Sequence, residues 1–60
     1  MNAGAVMNPE ILTSQVDCEG QLYWRAVFEG FRAGDPVGYG DTRAEAITDL
    51  MAEAVKALLS

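Results

Sequence analysis

Gln21-Leu22-Tyr23-Trp24-Arg25-Ala26-Val27-Phe28-Glu29-Gly30-Phe31 is the stretch whose pattern decides the fold. Leu22, Trp24, Ala26 and Phe28 alternate with Tyr23, Arg25, Val27 and Glu29. That is a period of two, not the 3.6 of a helix, so residues 21–31 are predicted to be the strongest strand of the chain. The first set is wholly apolar and is expected to point at the core. The second set is mixed and is expected to meet solvent or a partner.

Upstream, Asp17-Cys18-Glu19-Gly20 reads as a hairpin turn. Asp17 can bond its own backbone, and Gly20 can take the positive φ that a chain reversal needs. Residues 10–16 contain Ile11, Leu12, Thr13 and Val16 and are predicted to be a first strand. Pro9 limits the backbone before it, and residues 1–8 are expected to be a flexible tail. Downstream, Arg32-Ala33-Gly34-Asp35-Pro36 is a second turn. Residues 37–40 have room for only a short third strand, in which Gly38 and Gly40 are expected to permit a bend or bulge.

Asp41-Thr42-Arg43-Ala44-Glu45 opens the only predicted helix, from residue 43 to 58 or 59. Thr42 suits the N-cap and Glu45 stands three residues later, which makes a capping box. Ile47, Leu50, Met51, Ala54, Val55 and Leu58 recur at helical spacing as one apolar stripe. The expectation is an α+β fold of β-β-β-α order. A three-stranded antiparallel meander carries one C-terminal helix on one face, and residues 9–60 make a single domain.

The 60 residues hold nine acids against four bases, a net charge of −5. Four scattered cations do not make a phosphate-binding surface, so direct binding of nucleic acid is not expected. An acidic surface instead favours a basic protein partner. There is no histidine and one cysteine, Cys18, which excludes an internal disulfide and the multi-cysteine zinc sites. No metal, cofactor or catalytic residue is expected, and the chain is read as no enzyme. Without a membrane span or a secretory signal, the expected location is cytoplasmic.

The hairpin Asp17-Cys18-Glu19-Gly20 followed by Leu22-Tyr23-Trp24-Arg25-Ala26, together with Gly40-Asp41-Thr42-Arg43-Ala44-Glu45-Ala46-Ile47, resembles the HicB family of antitoxins. The resemblance covers about two-thirds of the chain. It implies a β-β-β-α domain related to partial RNase H and double-stranded RNA-binding folds, here without the C-terminal DNA-binding segment of many family members. It also implies a role in blocking a small basic mRNA-cleaving toxin, HicA, and self-association through the sheet.

The candidate partner-binding residues are Tyr23, Arg25 and Val27 on the uncovered sheet face and Glu45, Asp49 and Glu53 along the helix. Tyr and Arg are enriched at interaction hot spots. The three carboxylates, at i, i+4 and i+8, form a row that suits a basic surface, although such a row is also what an ordinary solvated helix face looks like. Two functions are carried forward. One is a protein-interaction module that occludes a basic partner such as an mRNA-cleaving toxin. The other is a homo-oligomeric structural or regulatory domain with no nuclease target, since exposed strand edges invite pairing with a second copy.

Overall fold

A computed structural model describes residues 10–59. The expected tail over residues 1–8 lies outside the described residues. Three strands, β1 (Ile11–Cys18), β2 (Gln21–Phe28) and β3 (Gly38–Gly40), form one antiparallel sheet in the order β1-β2-β3, and the helix α1 (Arg43–Leu59) follows. The α+β meander with one helix is therefore the fold of the chain. β2 stops at Phe28, three residues short of the expected span, because Glu29 and Gly30 turn, Gly30 with φ of 84°.

β1 and β2 pair along their whole length, from Ile11 opposite Phe28 to Cys18 opposite Gln21. The turn between them has two residues, Glu19 and Gly20, with φ of 54° and 84°. Two successive positive φ values are the signature of a type I′ turn, whose twist matches that of the strands it joins. Asp17 Oδ1 accepts the Gly20 N–H at 3.0 Å and fixes the reversal.

The start of α1 is a capping box with one variation. Thr42 Oγ1 accepts the Glu45 N–H at 3.1 Å, and Glu45 Oε1 reaches back to the N–H of Asp41, also 3.1 Å away. The usual reciprocal bond goes to the N-cap residue itself; here it lands one residue upstream. Arg43 places a cation at the positive end of the helix, and its Nε donates to Thr13 Oγ1 of β1 at 3.1 Å. That bond ties the helix start to the strand farthest from it in the sheet.

The core lies between α1 and one sheet face. Ala26, Ala46 and Leu50 are fully buried, with Ile11, Trp24, Phe28 and Ile47 packed against them. Trp24, Ala26 and Phe28 thus occupy the core face expected of them. Leu22 does not; it is 56% exposed. It pairs with Asp17 at the hairpin end of the sheet. The helix begins over Gly40, opposite Trp24, and runs away from that end, so nothing covers the Leu22 row.

Gly38 and Gly40 are not bulges. They pair in register with Ala26 and Trp24. A Cβ on Gly38 would collide with the carbonyl of Ala46 and the backbone nitrogen of Leu50, and one on Gly40 would lie 2.6 Å from Glu45 Cβ and 2.7 Å from Ala46 N. The two glycines let the helix backbone rest directly on β3.

The apolar stripe of α1 is only half used. Met51, Val55 and Leu58 were expected in the core and are exposed, Leu58 to 85%. Leu50 already lies against Gly38, where β3 begins. Nine more residues, about 13 Å of helix at 1.5 Å each, continue past that point.

Candidate functional site

The six candidate residues do not form one site. Tyr23, Arg25 and Val27 share the sheet face that carries no helix, together with Leu12 and Tyr39. Val27 is only 8% exposed on that open face, so it supports its neighbours and has little surface of its own to offer a partner. Leu12 stands opposite it in register and Arg25 lies two residues along the strand. The Arg25 guanidinium rests over the Phe31 ring, 5.3 Å from its centroid, a cation–π contact. Tyr23 and Tyr39 meet edge to face with centroids 5.6 Å apart.

The three helix carboxylates each have a partner within the chain. Glu45 closes the capping box. Asp49 Oδ2 accepts the backbone N–H of Tyr39 at 2.9 Å. Glu53 pairs with Lys56 at 3.1 Å, three residues on, as an exposed pair of the kind that contributes about 0.3–0.5 kcal/mol. Glu53 also lines a different hollow, with Gly34, Asp35, Pro36 and Val37.

Two of the carboxylates nevertheless line a surface that the sequence pattern did not assemble. A shallow groove of about 590 Å³ between β3 and α1 is lined by Tyr39, Asp41, Glu45, Thr48, Asp49 and Ala52, among others. A second hollow of about 390 Å³ is lined by Tyr23, Tyr39, Gly40 and Asp41. The two share Tyr39, Gly40 and Asp41, so they form one valley along the β3 edge, with tyrosines at one end and carboxylates at the other. The fold brings Tyr23, Glu45 and Asp49 to this valley. Arg25 and Val27 remain on the open sheet face, and Glu53 lies at the other hollow.

Tyr39 and Asp41 are the residues missed from sequence. They sit in and beside a strand read as weakened by glycine. Only its pairing with Arg25 puts Tyr39 beside Tyr23. Chemically, the valley offers aromatic faces and negative oxygens, a setting for a Lys or Arg side chain. Among the described residues, no group of three or more His, Cys, Asp or Glu could hold a metal ion, and no helix is long and apolar enough to cross a membrane. No family model, curated protein or solved structure matches the chain.

Proposed function

We propose that this chain is a non-catalytic protein-interaction module that binds a basic protein along the β3 valley, in the manner of a HicB-like antitoxin holding an mRNA-cleaving toxin in the cytoplasm. The observation that carries this reading is the continuity of Tyr23 and Tyr39 with Asp41, Glu45 and Asp49 in one groove. The net charge of −5 steers a basic partner towards the chain. Tyrosines supply apolar contact area with little loss of conformational freedom, and the carboxylates receive the partner's cations. The mechanism is occlusion: the residues that hold the partner's positive surface are the ones that deny it to RNA.

The test is an RNA-cleavage assay with a purified HicA-like ribonuclease. Stoichiometric chain stops cleavage. Tyr39→Ala combined with Asp41→Asn weakens the complex by about tenfold to a hundredfold, as loss of a hot spot does. Raising the ionic strength from about 0.05 M to about 0.5 M weakens it further. Glu53→Lys, at the other hollow, has a much smaller effect. Unimpeded cleavage in the presence of excess folded chain overturns the reading and leaves the homo-oligomeric domain in its place.

A further inference from the structure

The charges of α1 all lie on one side of the helix. At about 100° per residue, Arg43, Glu45, Asp49, Glu53 and Lys56 fall within one arc, and the buried Ala46 and Leu50 lie in that same arc. The opposite arc carries no charge. Along its middle run Ala44, Thr48, Met51, Val55 and Leu58, every one of them exposed. Their spacing alternates between four and three residues, the repeat of a coiled-coil seam. A surface helix ordinarily buries its apolar stripe and turns its charges to water. Here a second apolar seam faces water, with Val55 about 140° round the helix from Leu50. Single exposed apolar side chains are ordinary. A continuous seam of about four turns, about 21 Å long, marks an interaction surface.

We infer that this outer seam receives an amphipathic helix of the basic partner, antiparallel to α1, with the cations of that helix's last two turns set beside the valley. The inference rests on the valley reading for the sign of the partner's charge. The groove that holds Asp41, Glu45 and Asp49 is also lined by Ala44 and Thr48, so valley and seam are continuous. The carboxylates flank one side of the seam only, along its N-terminal half. Ile47 and Ala54 flank the other side and carry no charge. The matching helix therefore needs cations on one edge and near one end. Cations are favoured in the last turn of a helix, and the antiparallel direction brings that turn to Asp41 and Glu45. The small side chains of Ala44 and Thr48 let it approach closely, while Met51, Val55 and Leu58 take the partner's larger apolar residues. A second copy of this chain does not supply such an edge. The two cations of its α1 are committed, Lys56 to Glu53 and Arg43 to Thr13.

The probe is a helical peptide of about six turns, with Leu at its seam positions and Arg along one edge of its last two turns. Calorimetric titration of the whole chain should give a Kd below about 0.1 mM, and the Met51 methyl resonance should shift. Val55→Asp puts a charge in the middle of the seam without touching the core and should weaken binding about tenfold or more. Glu in place of the peptide's Arg residues should do the same. Circular dichroism checks folding, and Leu58→Asp, at a still more exposed position, is the second variant. No binding at millimolar peptide, indifference to both variants, or equal binding of the Glu-edged peptide overturns the inference. So does a wild-type dimer abolished by Val55→Asp, which makes a second copy the occupant, or Val55-dependent uptake onto phosphatidylcholine vesicles, which makes it a lipid surface. The valley reading fails separately. A ribonuclease held equally by the wild type and Val55→Asp, yet released by Tyr39→Ala with Asp41→Asn, keeps the valley and removes the seam. A peptide bound through Val55 while the ribonuclease cleaves unimpeded keeps the seam and removes the toxin.

Discussion

Glu19 holds a φ of 54° in the first position of a turn that favours Asn or Gly there. A long side chain is strained in this conformation, whereas Asn visits it readily because its short amide bonds the local backbone; Glu19 gains no such bond among the hydrogen bonds of the turn. Glu19→Asn is therefore expected to stabilise the chain by about 0.5–1 kcal/mol, read as a rise in Tm of about 2–8 °C. An unchanged or lowered Tm would show that the hairpin does not depend on its turn. Gly20 was legible as a turn residue, and Asp17 as the one whose carboxylate fixes the turn, because their roles are local; but Asp17 and Cys18, read as loop, pair with Leu22 and Gln21 inside β1, a cross-strand match that the local pattern does not show. Asp49 was not legible. It looks like one member of an acidic row, and its bond to Tyr39 spans ten residues and depends on how the helix is rotated over β3.

At the scale of elements, the decisive contact is helix backbone against strand backbone. Gly38→Ala would drive a methyl group into Ala46 and Leu50, whose backbone atoms cannot move without lifting the helix. The expected loss is about 3 kcal/mol, at the upper end of overpacking costs and well beyond the small gain from a stiffer unfolded chain. Chemical denaturation measures it. A loss below about 1 kcal/mol would mean that the helix can ride outward freely. The strand period, read over 21–31 and kept as far as Phe28, and the capping signals at Thr42 and Glu45 were readable because each repeats or closes within a few residues. The unused half of the helix stripe was not. Periodicity groups Met51, Val55 and Leu58 in one stripe with Leu50, but they lie about 80–140° round the helix from it, and the fold rests the helix on the line of Ala46 and Leu50, which leaves them facing water.

Taken whole, the molecule depends on very little buried volume. Leu50 is the only large side chain fully removed from water among the described residues. Truncating a buried leucine to alanine costs about 2–5 kcal/mol, and a core of this size supplies about 3–5 kcal/mol in all. Leu50→Ala should therefore leave a large unfolded fraction at 25 °C, visible as collapsed amide dispersion in NMR spectra. A well-dispersed spectrum would show that something other than the intrachain core supports the fold. The Tyr39 amide offers a way to watch this happen. Its acceptor belongs to the helix while the residue itself belongs to the sheet. Its deuterium uptake therefore times the parting of the two layers, whereas the amides between β1 and β2 time the opening of the hairpin alone. One proton thus distinguishes a molecule that loosens layer by layer from one that lets go all at once.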